Sequence, residues 1–392
     1  MSPEVPSNPE LQPTTRAIRT GRSASGASLA PALWASSVWE STSLDDAHRR
    51  AVATRADEFY GRYGNPTVRS FEEVVADLEG AEEALAFASG MGAIASTVLA
   101  LTSSGGHIVA AKQLYAGTLA FLQGPCARFG IDVTLVDGTQ PGAFASAVVP
   151  GRTTLVIAET PSNPRLELCD LDEVGSIIGP FTLIDSTFAT PLGQQPLAHG
   201  ADLVLHSATK GIAGHNDATL GVIAGERDLV DAVWSYGVLH GAMASPFDAL
   251  NALRGVRTLG VRTQHQAATA QRLAEWLSEH PRVSAVHYPG LASHPQHDLA
   301  KRQMRQFGTV LAFEINGGRD ASTDLLDRLR LIRRATSLGG PESLICHPLT
   351  TTHASLTPTE QAETGVTEGL LRVSVGLEDA GDVIADVEQA MR

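Results

Sequence analysis

GADLVLHSATKGIAGHND (200–217) joins an apolar run to a polar, glycine-punctuated turn. The run ADLVLHSA (201–208) is rich in Leu and Val and stops at Thr209 and Lys210. A short apolar run bounded by turn signals reads as a buried strand. Four similar runs occur along the chain: HIVAA (107–111), TLVIAE (154–159), TLID (182–185) and TLGVIA (219–224). Amphipathic or loop segments separate them. VRSFEEVVADLEG (68–80) places Phe71, Val74, Val75 and Leu78 at helical spacing, with Gly80 as a natural C-cap. Strands alternating with helical segments predict βαβ units and a large, mostly parallel sheet. Ligands of such sheets bind in the crevice beyond the carboxyl ends of the strands. The residues that close the runs are therefore the first candidates for chemistry.

The pattern changes after residue 257. HQAATAQRLAEWLSEH (265–280) predicts a long amphipathic helix. Strands are expected over 284–289, 309–315 and 370–376, with helices around 324–332 and 382–391. That reads as a smaller C-terminal α+β domain. The expected organisation is an N-terminal arm over 1–59, an α/β domain over 60–256 and the α+β domain over 257–392. The first 14 residues are polar and Pro-rich, which predicts a loose arm.

Composition limits the class of function. The chain has 392 residues, 43% of them apolar, and a formal net charge of −14. That charge disfavours nucleic acid and anionic membranes, which need clustered Lys and Arg. The three cysteines, Cys126, Cys169 and Cys346, are scattered, which suits neither a disulfide framework nor a zinc site. A reducing cytoplasm is expected. No signal peptide is expected from the first residues. ALAFASGMGAIASTVLAL (84–101) is long enough to span a bilayer, but its glycines and hydroxyl residues predict a strand, a tight turn and a buried helix.

A lone lysine is most often a solvated surface residue. Lys210 instead closes a strand and follows two hydroxyls, Ser207 and Thr209, which suit a phosphate held beside an imine. A lysine Schiff base is the attachment of pyridoxal 5′-phosphate (PLP), with an acid on the pyridinium nitrogen. Asp185 ends FTLID, and Thr187 and Phe188 follow it. The commoner role of such an aspartate is a turn or cap. ASGMGA (88–93) offers Ser89 as an N-cap and the N–H groups of Gly90 and Met91 to a phosphate. Tyr115 is a candidate lid on the ring, or partly buried packing. Arg62, beside the turn Gly64-Asn65-Pro66, suits a phosphate or a plain surface turn. Arg372 sits in the apolar run LLRVSVG, where a charge needs a partner. A substrate carboxylate or an internal Asp or Glu would serve. No HExxH-like pair indicates a metal, and no GxSxG elbow indicates a serine hydrolase.

Eight segments in order carry a resemblance: YGRYGNPT (60–67), ASGM (88–91), ETPSNP (159–164), IDSTFATP (184–191), GADLVLHSATKGIAGHND (200–217), SLGGPESL (337–344), TTTH (350–353) and LRVSVGLED (371–379). On these the chain resembles the Cys/Met-metabolism family of PLP enzymes. Its members include cystathionine γ-synthase, cystathionine γ-lyase, methionine γ-lyase and the O-acylhomoserine sulfhydrylases. The resemblance implies the fold-type I, aminotransferase-like α/β architecture and a homotetramer of tight dimers. It implies that Tyr60 and Arg62 reach the cofactor phosphate of a neighbouring subunit. Gly90, Met91, Ser207 and Thr209 would complete the phosphate cup, with Thr187 beside the cofactor. Tyr115 would stack on the ring, Asp185 would hold the pyridinium and Lys210 would form the Schiff base. Asn163, Ser337 and Arg372 would contact the substrate, Arg372 at the α-carboxylate.

Departures from the family bear on substrate. Leu119 and Ala120 stand in the run where cystathionine-handling members carry an arginine, and Thr336 stands where they often have an acid. Losing that arginine removes a charge-assisted contact of about 1.5–3 kcal/mol. Gly117 stands where methionine γ-lyases tend to have a cysteine, Ser186 where asparagine is usual, and Gly211 where a tyrosine follows the lysine. The expected reaction is γ-elimination on a short γ-substituted amino acid such as methionine or a homoserine derivative. γ-Replacement, including on a specialised biosynthetic substrate, is the second expectation. A non-catalytic PLP-binding module is the third.

Overall fold

The computed structural model describes residues 11–354 and 365–392. Most of the arm expected over 1–14 lies outside the described residues. From Pro13 the chain is not loose: Pro13–Arg19 is a helix, tied down by Arg16 and Thr20 bonding Asp77.

Seven strands build the large sheet: β1 (Glu83–Phe87), β2 (His107–Ala111), β3 (Asp132–Val136), β4 (Thr153–Glu159), β5 (Phe181–Asp185), β6 (Leu203–His206) and β7 (Gly221–Gly225). Their order is β1-β7-β6-β5-β4-β2-β3. Strands β2 to β6 run parallel, whereas β7 is antiparallel to both β6 and β1. One face of the sheet is packed by Ile94, Ile108 and Leu183, the other by Phe71, Val204 and Val222. Strand β3 escaped the sequence reading because it lies at the sheet edge and is half solvated.

A second sheet of five strands follows: β8 (Val283–His287), β9 (Val310–Ile315), β10 (Arg333–Arg334), β11 (Leu344–Cys346) and β12 (Leu370–Ser374), in the order β10-β11-β12-β9-β8. Phe313, Leu371 and Leu273 lie in its core. The fold is α/β, a large mostly parallel sheet with a second, smaller sheet, as expected.

Local chemistry sets the helix ends. The helix Pro66–Glu79 starts two residues earlier than expected because Asn65 caps it, accepting the Thr67 N–H at 2.8 Å, with Pro66 in its first turn. Gly80, at φ 71°, ends it. The helix expected around 324–332 is instead Gly318–Arg328. The Asp386 carboxylate accepts the N–H groups of Arg330, Leu331 and Ile332, each at 2.9 Å, and so stabilises a non-helical path there. Residues 84–101 are the strand β1 and the helix Gly90–Leu101. No helix among the described residues is long and apolar enough to cross a membrane.

One buried cation pins the turn after β6. Arg262, on the helix Leu259–Glu279, donates to the carbonyls of Gly211 (2.8 Å), Ile212 (3.1 Å) and Gly255 (2.8 Å). Gly211, Ile212 and Gly255 are all buried. Arg262→Met should therefore destabilise the fold by about 2–4 kcal/mol, read as a lowered denaturant midpoint. An unchanged midpoint would show that the turn holds itself.

Candidate active site

Strands β4, β5 and β6 pair in parallel with Glu159 opposite Asp185 and Asp185 opposite Leu205. Partners in register point to the same face. The carboxyls of Glu159 and Asp185 are thus carried side by side into one cavity of about 330 Å³ beyond the strand ends.

Lys210 enters this cavity from the turn after β6. Its N–H donates to the Ser207 carbonyl at 3.0 Å and its own carbonyl accepts from Gly214 at 2.8 Å. Its Nζ donates to Ser337 Oγ at 2.9 Å. Burial, and then the charge of Arg372, holds the Lys210 amine below the usual lysine range. The chain's other two lysines, Lys112 and Lys301, are exposed.

Asp185 is both a turn residue and a cavity carboxylate. Its Oδ1 accepts the N–H of Thr187 at 3.0 Å and the Thr187 hydroxyl at 2.5 Å, while Oδ2 has no bond among the described residues. Thr187 Oγ1 in turn accepts the Ser207 N–H at 2.8 Å, lashing the ends of β5 and β6 together. Burial pushes the Asp185 carboxyl up, against the Thr187 bonds and the proximity of His206. His206 faces away and pairs with Glu79 at 2.6 Å, both fully buried.

The residues expected of a phosphate cradle meet at the same cavity. Ser89 caps the helix Gly90–Leu101, accepting the Gly92 N–H at 3.0 Å. Gly90 and Met91 begin that helix and line the cavity. A Cβ at Gly90 would lie 3.0 Å from Ser207 Cβ and push against it, a crowding that glycine avoids. Thr209 lines the cavity too, although its hydroxyl already bonds Leu220 in both directions.

Arg372, on β12, is 3% exposed. Its Nη1 donates to Asn163 Oδ1 at 2.8 Å and its Nη2 to the Ser337 carbonyl at 2.9 Å. Its Nε is buried without a partner, and no Asp or Glu pairs with it among the described residues. The internal acid that the sequence allowed is absent from these contacts. Ser337 holds φ 80°, a left-handed conformation that costs a non-glycine residue about 1–3 kcal/mol.

Tyr115 borders the cavity and is 43% exposed. Tyr60 and Arg62 do not line it. Tyr60 bridges Val38, and the Arg62 guanidinium lies 5.4 Å from the rings of Tyr60 and Tyr63 and bonds the Val238 carbonyl at 2.6 Å.

Sequence reasoning missed Glu159 as a site residue. It closes the run TLVIAE in the same way that Asp185 closes FTLID, so the signal was present. Its Oε2 accepts the Tyr115 N–H at 2.6 Å and its Oε1 the Asn163 N–H at 3.0 Å. Burial, then the charge of Asp185, pushes its carboxyl well above the usual range.

Residues 14–392 match the family described as Cys/Met metabolism PLP-dependent enzyme. The L-methionine gamma-lyase of Pseudomonas putida is 42% identical over 385 residues, covering 96% of each chain. The O-succinylhomoserine sulfhydrylase of Pseudomonas aeruginosa is 41% identical, covering 92% of this chain and 90% of that one. Among solved structures, the cystathionine gamma synthase of Xanthomonas oryzae pv. oryzae, in complex with aminoacrylate and cysteine, superposes with a TM-score of 0.91 at 36% identity, covering 97% and 98% of the two chains.

A lowered Lys210 pKa has a measurable sign. The neutral, nucleophilic amine forms as pH rises through that pKa, so cofactor uptake by apoprotein should rise with pH and level off below the ordinary lysine value of about 10.4. Arg372→Met removes a cation that disfavours the ammonium, and should move the plateau to higher pH. Coincident profiles would remove Arg372 as a cause.

Proposed function

The chain belongs to the Cys/Met metabolism PLP-dependent enzyme family, and within it we propose γ-elimination on a short γ-substituted L-amino acid, methionine or a homoserine derivative. It is a PLP-dependent lyase or transferase of the trans-sulfuration type. The observation that carries the substrate reading is the buried Arg372 fork, without an acid partner, in the cavity that holds Lys210. A buried cation costs several kcal/mol unless a counter-charge completes it, roughly what a substrate α-carboxylate would supply. The further lining of Ile94, Thr118, Phe188, Thr336, Leu338 and Thr352 is neutral. A distal carboxylate would find no cation there, which disfavours cystathionine and favours an uncharged side chain.

The residues fit the cofactor. Lys210 would hold it covalently, Asp185 Oδ2 would face its ring nitrogen, and Gly90, Met91 and Ser207 would receive the phosphate, with Thr209 and Thr187 shaping that end. Tyr115 would cover the ring. PLP supplies an electron sink when bound. Tyr60 and Arg62 stand outside this chain's cavity and would complete that of a second copy, so the active form is a homo-oligomer, at least a dimer. The three buried free cysteines suit a reducing compartment, the cytoplasm.

Arg372 orients the substrate, its own fork held by Asn163 and Ser337. Lys210 Nζ takes the proton from the substrate Cα, gives it up to the site that bound PLP would offer, and is then free to take one from Cβ; its weakened basicity keeps neutral amine available. Tyr115 gives a proton to the departing thiolate. With water, methionine then gives methanethiol, ammonia and 2-oxobutanoate. Attack of a second thiol at Cγ gives a new thioether, the γ-replacement reading supported by likeness to the sulfhydrylase. A non-catalytic module has no need of Lys210, Asp185 and Arg372 together.

Borohydride should trap the cofactor on one peptide, and with only Lys112, Lys210 and Lys301 to distinguish, mapping is unambiguous. Lys210→Ala should abolish both the adduct and turnover. 2-Oxo acid released from methionine without added thiol supports elimination; product formed only with a thiol reverses the order of the two reactions. Arg372→Lys keeps the charge and loses the fork, so KM should rise by about tenfold or more. A normal KM with a depressed melting point would make Arg372 a purely structural cation.

A further inference from the structure

We propose that Glu159 is a positioning residue that holds the Tyr115 loop and the Arg372 fork in a fixed relation. The inference rests on reading Arg372 as the α-carboxylate grip. Glu159 is 6% exposed, and no Lys, Arg or His pairs with it among the described residues. Each of its oxygens is instead committed to one main-chain N–H.

The two bonds run to segments far apart in the chain. Oε2 holds the N–H of Tyr115, which opens the helix Ala116–Phe121 and has no side-chain cap of its own. Oε1 holds the N–H of Asn163 and folds the loop 159–163 back on itself. Asn163 Oδ1 then accepts from Arg372 Nη1. A single carboxylate thus sets where the ring of Tyr115 begins and how Arg372 is aimed. Asp185 alongside in register makes this an expensive place for a second negative charge. An apolar residue would satisfy the strand end at less cost but would release both N–H groups.

Two variants separate reach from charge. Glu159→Gln presents one oxygen and one amide NH2, so one of the two N–H groups loses its acceptor. Glu159→Asp keeps the carboxyl group but is one methylene shorter and cannot span both. In holoenzyme, each should raise the KM for methionine about tenfold while the bound-cofactor absorbance persists. Binding of 4-(methylsulfanyl)butanoate, methionine without its amine, should weaken by a similar factor in calorimetry, a readout independent of turnover. In an Arg372→Lys background, Glu159→Gln should add less than about twofold, because coupled residues are not additive.

A lowered melting point with unchanged KM and unchanged carboxylate binding in both variants would overturn the proposal. So would fully additive losses in the double variant. If Glu159→Gln does not fold, Glu159→Asp alone decides between these outcomes. A wild type that binds no 4-(methylsulfanyl)butanoate would sink the Arg372 reading itself; wild-type binding that survives in both variants sinks only the role of Glu159.

Discussion

Parallel pairing of β4, β5 and β6 fixes the level at which three strands end, and the site depends on that register. Glu159, Asp185 and Leu205 stand in one row because their backbones are hydrogen-bonded in step. Side chains alternate faces along a strand, so a slip of one residue would send Asp185 to the far side of the sheet. His206 illustrates the alternation: one residue beyond Leu205, it faces away and meets Glu79 instead. Thr187 then fixes the ends of β5 and β6 by bonding Asp185 and the Ser207 N–H together.

The cavity assembled on this row holds two carboxyls, the Lys210 amine and the Arg372 guanidinium, none joined to another by an ion pair among the described residues. Burial therefore outweighs what opposes it: at Glu159 two main-chain bonds and the charge of Arg372, at Asp185 the Thr187 bonds and the proximity of His206. It drives both carboxyls up and the Lys210 amine down, weakening the charged form of each. Main-chain N–H groups, hydroxyls, one carbonyl and one amide meet part of this demand, leaving Arg372 Nε and Asp185 Oδ2 without a bond among the described residues. Lys210 leans on Ser337, which keeps a left-handed backbone while its carbonyl receives Arg372. Residues from the large sheet and the small sheet thus meet in one bonded chain. Strain of this kind is tolerated where neighbouring contacts over-determine the conformation.

Much of the fold was legible in single stretches of sequence. The apolar runs of β2, β4, β5 and β6 and the Gly80 C-cap are local signals, since burial on both faces demands an unbroken apolar run. β3 was not legible because an edge strand needs no such run. The helix expected at 324–332 was misplaced because its end is set by Asp386, more than fifty residues away.

The same division holds for the site. The sequence by itself determined which residue types close the strands: the lysine after β6, the aspartate of β5 and the arginine within β12. Strand termini and residue chemistry are properties of neighbours along the chain. Only the tertiary structure decided that Arg372 has no acid partner, that Glu159 stands beside Asp185, and that Arg62 lies outside the cavity built by its own chain. Those facts depend on sheet register and on contacts spanning up to 209 residues. No local pattern encodes them, because the energy that selects them arises only when the distant segments are packed together.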